Sequence, residues 1–201
     1  GVIMVNKSAA APIVMGGEDA TITIPTLMIS QADGAVVKGA ASAVNATLRL
    51  LDPAPIMRDG DLDSDIVWHE YGHGLTWRMI GRMNGPLSGA IGEGMSDVLA
   101  IIANNDDIVG EYSFPGGIRS EPYANYTRSY GDIAGTGVHF DGEVYAAIIW
   151  RLMELFGSKN REALFGIVVD GMNFTPATPA WEDMRDGMLA SIANSGGTVK
   201  Q

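Results

Sequence analysis

The spacing of apolar and polar positions changes once along this chain. Up to about residue 50 the apolar residues fall in short β-favouring runs, Val2-Ile3-Met4-Val5 and the TITIPTLMIS stretch at 21–30. Gly16-Gly17 and Asp33-Gly34 read as turn signals between such runs, and NATLRL at 45–50 closes the series. Ala35 to Val44, rich in Ala and Val, suits a short covering helix. The LDPAPIMRDGDLDS stretch at 51–64, with two prolines and four aspartates, reads as a connection. From Ser64 onward the period is helical, with Asp63 or Ser64 placed to cap the start. Helices are predicted over Ser64–Met79, Gly92–Ala103, His139–Phe156, Arg161–Asp170 and Thr178–Ala193. Between the second and third, residues 104–138 carry many Gly, Tyr, Pro and Arg and predict an ordered irregular loop, a length at which loops are often functional. The expected fold is α+β: a small β-rich α/β module over residues 1–50 and a mainly helical lobe over 51–201.

Composition narrows the classes of function. Hydrophobic residues at 46% and charged residues at 18% can build a folded core over 201 residues. A formal net charge of −11 repels phosphate backbones and anionic lipid surfaces, so neither nucleic acid nor a membrane is expected as a partner. The longest apolar stretch, Val144 to Phe156, is interrupted by Arg151 and Glu154 and reads as a buried or amphipathic helix. With 0 cysteines, disulfides, thiolate metal sites and thiol catalysis all fall away. The acidic balance leaves room for calcium on carboxylate loops, beside the plainer reading of a solvated acidic surface. The chain opens on an apolar run at Gly1 without a charged leader, as a fragment or a trimmed chain would.

The strongest chemical signal is His69-Glu70-Tyr71-Gly72-His73. Two imidazoles four residues apart on a helix share one face and can converge on a single ion, a spacing that suits zinc. Glu70, directly after the first histidine, stands beside such an ion, where it can take a proton from a metal-activated water. A catalytic zinc uses three protein ligands, and Glu93 in Gly92-Glu93-Gly94-Met95-Ser96-Asp97 supplies the third. Asp97, one turn further on, is placed to accept the free N–H of a ligand histidine, His69 in the first instance. Taken without the histidines, Glu93 and Asp97 would be an ordinary acidic helix start.

HEYGHGLTWRMIG followed by GAIGEGMSD is similar to the fungalysin family of secreted metallopeptidases, which stands with thermolysin among enzymes binding zinc through two His and one Glu. The likeness continues through RSEPYANY, GTGVHFDGEVYAAIIW and VVDGMNFTPATPAWEDMRDGML. It implies a thermolysin-like helical catalytic lobe, endopeptidase activity on peptides or proteins, and secretion. It also implies a role for His139: the Gly135-Thr136-Gly137-Val138-His139 context resembles that of the histidine donating to the oxyanion, a lone helix-start or core histidine being the plainer alternative. Asp132 just upstream is the expected orienter of that imidazole. The family's tyrosine donor after the zinc helix has no counterpart in Arg82-Met83-Asn84; Tyr123, Tyr126 or Tyr130 could substitute, and Arg119 or Arg128 could bind a substrate carbonyl, a solvated surface position being the plainer reading of each taken singly.

The first fifty residues resemble the second half of a protease-associated domain, a module without catalytic residues. On that resemblance the β-rich catalytic lobe, whose strand edge would pair with an extended substrate, comes from an N-terminal part of the same precursor. An isolated fragment is then expected to hold zinc but to cleave poorly. Two rival readings stay open: a zinc aminopeptidase with the same ligands plus an acidic anchor for the substrate amine, and a noncatalytic binding or assembly fragment.

Overall fold

The computed structural model describes residues 1–7, 12, 21, 23–40, 47, 58–135 and 137–196, and the chain divides into two units, Gly1–Ile56 and Met57–Gln201. In the first, β1 (Val2–Val5) and β2 (Thr26–Ile29) pair in parallel, with Val2 opposite Thr26 and Val5 opposite Ile29. Helix α1 (Gln31–Gly39) follows, its first turn capped by the Ser30 hydroxyl, which accepts the Asp33 N–H at 3.0 Å. Asp33-Gly34 is therefore a helical turn and not the strand-ending turn expected from the sequence. The reason is packing: a Cβ on Gly34 would overlap the Val5 side chain, so the glycine is where α1 closes on β1. The Gly16-Gly17 turn, residues 41–44 of the predicted covering helix and, apart from Thr47, the NATLRL run lie outside the described residues.

The second unit is built around one helix. Helices α2 (Ser64–Met79), α3 (Pro86–Asn104) and α4 (Val138–Phe156) pack side by side with α3 in the middle, and α5 (Arg161–Gly171) pairs with α6 (Trp181–Asn194). Met95, Val98, Leu99 and Ile101 of α3 are wholly buried and meet Val144 and Ile149 of α4, Leu164 and Val168 of α5, and Met172. The overall class is α+β, mostly helical with one two-stranded sheet.

Helix α3 begins at Pro86, well before the expected Gly92. The Pro-Leu-Ser-Gly stretch reads as a loop by composition, yet Pro86 sits at the helix start, where its missing N–H costs nothing. Gly85, at φ 90, makes the turn into it. Helix α6 starts at Trp181 and not at Thr178, which holds a left-handed φ of 58. The long segment between α3 and α4 is irregular, with short 3-10 turns at Tyr123–Asn125 and Tyr130–Asp132. It is anchored to the head of α2: the Asp63 carboxylate caps α2 through the Asp65 N–H at 3.1 Å and accepts the Ser113 N–H at 2.9 Å, while Asp65 accepts the Gly110 N–H at 3.2 Å.

Candidate active site

Helix α2 turns a polar face inward. Its buried residues are Asp65, His69, Gly72 and Thr76, three or four apart, whereas Val67, Tyr71 and Trp77 remain exposed. That arrangement costs hydrophobic burial, so each buried polar group on α2 needs a partner: the Thr76 hydroxyl donates to the His73 carbonyl of the same helix at 3.1 Å, and Asp65 accepts from the loop. His69 meets Asp97 of α3, its Nδ1 2.6 Å from Asp97 Oδ1.

The close approach that brings α2 to α3 depends on Gly72. A Cβ there would lie 2.7 Å from Ser96 Cα and 2.9 Å from Ser96 Oγ, a clash with backbone that only helix separation relieves. Gly72→Ala is expected to destabilise the chain by about 1–3 kcal/mol. Gly74→Ala, on the same helix with open space around the added methyl, is expected to stabilise by up to about 1 kcal/mol. Denaturant midpoints of the two variants check the pair. On the other side of α3, Gly142 of α4 sits against Ala90, Glu93 and Gly94, where a Cβ would fall 2.9 Å from Glu93 Cβ.

These contacts place three ligand groups together. One donor atom from each of His69, His73 and Glu93 lies within 4.8 Å of the others. His73 Nε2 is 3.1 Å from His69 Nε2, and the two rings stand nearly perpendicular at 89°. Glu93 Oε2 is 3.5 Å from His69 Nε2, and Oε1 is 3.7 Å from His73 Nε2. The set fits a divalent ion of zinc type on an independent sign: Glu93 Oε2 is buried yet has no well-aligned hydrogen bond, an acceptor that a bound cation would satisfy. Among the described residues this is the one group of three or more His, Asp or Glu side chains with metal-holding geometry.

The surroundings act differently on each member of this donor set. Burial alone would raise the Glu93 carboxyl, but the His69, His139 and His73 imidazoles outweigh it and hold it below the usual carboxylate range. Burial depresses the His73 imidazole, against the opposing pull of Glu93 and Glu70. For His69, burial also pulls downward, and the Asp97 and Glu93 carboxylates overcome it, raising the ring to about 9 without metal. A metal ion bound at His69 Nε2 would therefore have to displace a proton that these carboxylates favour.

Asp97 is the centre of a second group, only 1% exposed at its side chain. Arg119 grips it with two donors, Nε at 2.6 Å and Nη2 at 2.7 Å, and the Tyr123 hydroxyl donates to Oδ2. Burial alone would raise Asp97, but the bonds from His69 and Arg119 hold it down to about 2, an anion throughout the physiological range. Burial and the Asp97 charge push the Tyr123 hydroxyl well above its ordinary value, so it remains a donor. Arg119 and Tyr123 were expected from the sequence to face substrate or solvent; here both are committed to Asp97. No local period could have shown this, because the partners come from the irregular segment 22 and 26 residues away.

Glu70, next to His69 in the chain, is exposed and stands close enough to His73 for its charge to act on that imidazole. His139, the second residue of α4, points Nε2 at Glu93 Oε2 from 3.2 Å and leaves 67% of its side chain exposed. Asp132 does not orient it. Its carboxylate accepts the Ser129 N–H at 2.7 Å and the Ser129 hydroxyl at 2.9 Å, closing the 3-10 turn locally. Tyr126 donates to Glu143 of α4, and the exposed Tyr130 stacks edge-on with Trp181 at 5.3 Å.

A paired-histidine helix, a glutamate from the next helix and a carboxylate behind the first histidine define the class of metal-dependent peptidases. Comparison with known proteins narrows the class. The sequence model of the family described as fungalysin metallopeptidase (M36) matches residues 38–200, and the chain belongs to that family. Among curated proteins it is 33% identical over 174 residues to extracellular metalloproteinase 2 of Trichophyton tonsurans, covering 66% of this chain and 27% of that protein. It is 32% identical over 183 residues to extracellular metalloproteinase 2 of Arthroderma otae, covering 71% and 29%. With extracellular metalloproteinase MEP of Fusarium vanettenii the identity is 29% over 183 residues, covering 70% and 28%. The chain thus spans under a third of the length of the curated relatives it matches.

Proposed function

We propose that this chain carries the zinc site and most of the acid–base groups of a secreted endopeptidase. The observation that carries the reading is the convergence of His69, His73 and Glu93 within 4.8 Å, with His139 in contact with Glu93 and the Glu70 charge acting on His73. Zinc held there supplies a Lewis acid that activates water and polarises the scissile carbonyl. Glu70 takes the proton from the attacking water and later delivers it to the leaving amine. His139, through Nε2, donates a hydrogen bond to the oxyanion of the tetrahedral intermediate. Asp97 holds the Nδ1–H of His69, which keeps the Nε2 lone pair turned to the metal. Secretion rests on the extracellular names of the relatives. No helix among the described residues is long and apolar enough to cross a membrane.

The first fifty residues are assigned, on resemblance and on the parallel β1–β2 pair covered by α1, to part of a protease-associated module. The match covers 27% of the length of a curated relative, and on the family resemblance the strand edge that would bind an extended peptide is assigned to an N-terminal lobe of the same precursor. The purified chain is therefore expected to bind one zinc per molecule and to cleave a quenched-fluorescence peptide slowly. Elemental analysis gives the first result and a progress curve the second. Zinc near zero in the folded chain would discard the hydrolase reading in favour of an assembly fragment. Cleavage restricted to peptides with a free amino terminus would favour an aminopeptidase.

A further inference from the structure

His139 is held by less than its proposed task requires. Among the described residues its side chain has one polar contact, Glu93 Oε2 at 3.2 Å, and Glu93 is itself a proposed metal ligand. The helix that carries it opens at Gly137 with no side-chain cap. The position of the ring is thus inherited from the backbone at the head of α4 and from the loop that enters it.

That backbone is fastened by two side chains on either side of His139. Asp141, 1% exposed, turns its carboxylate back over the entering loop and accepts the N–H groups of Ala134 at 3.2 Å and Gly135 at 2.8 Å. Arg128 crosses the same place. Its Nη1 donates to the Phe140 carbonyl at 2.8 Å and to the Tyr126 hydroxyl at 3.1 Å, and its Nη2 donates to the Asp132 carbonyl at 3.3 Å. The guanidinium also lies 3.4 Å above the Phe140 ring and 3.6 Å from Asp141 Oδ1. Tyr126 is tied in turn to Glu143, which also accepts the Ser120 N–H at 3.2 Å. The residues before and after His139 are therefore bound to one charge pair, the buried Asp141 and the half-buried Arg128, while the imidazole itself reaches only Glu93.

We infer that Arg128 and Asp141 form a positioning pair that fixes the His139 ring for oxyanion stabilisation. The inference rests on the role of His139 proposed above. Neither side chain touches substrate; each acts through the backbone on which His139 stands. An arginine is needed at 128 because only a planar fork can serve three acceptors and stack on a ring, so Arg128→Lys keeps the charge and loses the geometry.

The test uses the whole zinc-loaded chain. It contains only 3 histidines, so the three ring signals separate in a spectrum of histidine-labelled protein. In Asp141→Asn and Arg128→Lys the His139 signals are expected to broaden or shift, with those of His69 and His73 in place. That split is not produced by a general loss of stability, and the second variant covers the case in which the first does not fold. Affinity for a phosphonamidate peptide, a mimic of the tetrahedral intermediate, is expected to fall roughly tenfold in either variant. It is expected to fall about a hundredfold in His139→Ala, with no further loss when Asp141→Asn is added to it. Unchanged His139 signals in both variants, or losses that multiply in the double variant, overturn the positioning pair. Shifted His139 signals together with wild-type affinity in His139→Ala support the pair and sink the oxyanion role on which the proposed function draws.

Discussion

Glu70→Gln is expected to lower peptide turnover by about a thousandfold or more while the zinc content of the chain stays at one per molecule. Glutamine fills the same volume and keeps a hydrogen-bonding oxygen, but it cannot accept a proton at neutral pH. Because Glu70 is exposed and lies outside the group of His69, His73 and Glu93, its charge is not part of the metal's donor set. The substitution should therefore separate chemistry from metal binding, and no change in folding stability beyond about 0.5 kcal/mol is expected at such a site. Turnover is followed over long incubations with a quenched-fluorescence peptide, and zinc by elemental analysis of the same samples. A Gln variant that loses its zinc would make Glu70 a ligand, and one that keeps wild-type turnover would move the proton transfer to another group. Glu93→Gln serves as the contrast, since there metal and turnover should fall together.

The parts of this molecule that repeat at helical spacing were the parts readable from the sequence. His69 and His73 stand four apart, and a single helix is enough to bring their rings to one ion. Glu93 and Asp97 share the same logic on α3, and their meeting with α2 needs only that the two helices pack closely, which the small residues Gly72 and Ser96 permit. Features set by contacts between distant segments were not readable. Arg119 and Tyr123 have no spacing relation to Asp97, and an arginine or tyrosine in a polar loop reads as exposed until the buried carboxylate it serves is seen. Asp132 shows the reverse failure. Its nearness to His139 in sequence suggested a partner, whereas the 3-10 turn directs its carboxylate to Ser129 and leaves the fastening of His139 to Asp141 and Arg128. The early start of α3 was hidden for a different reason. Pro86 and Gly89 are weak helix formers by propensity, but the first turn tolerates proline, and a side chain at Gly89 would run into Val138, 2.8 Å away.

Asp97→Ala tests whether the group behind the metal site serves the metal or merely the fold, and two effects are expected from it at once. The first is on metal affinity: without an acceptor at Nδ1, His69 loses the bond that sets its tautomer and ring direction, and zinc affinity should fall by about 10–100-fold. The second is on stability: Arg119 loses the carboxylate that accepts both of its bidentate bonds and is left buried without it, a situation that costs about 3–5 kcal/mol. Adding Arg119→Met separates the two. Removing the stranded charge should restore part of the stability, because a buried ion pair replaced by apolar groups of similar volume is often near neutral. It cannot restore the acceptor for His69, so zinc affinity should stay low in the double variant. Denaturant unfolding of the metal-free proteins reads the stability, and competition with a chelator of known affinity reads the zinc affinity. If the double variant regains both, Asp97 influences zinc only through folding, and the orientation of His69 is set by α2 alone. If Asp97→Ala binds zinc as the parent does, the short Nδ1 to Oδ1 bond at 2.6 Å carries no part of the metal's affinity.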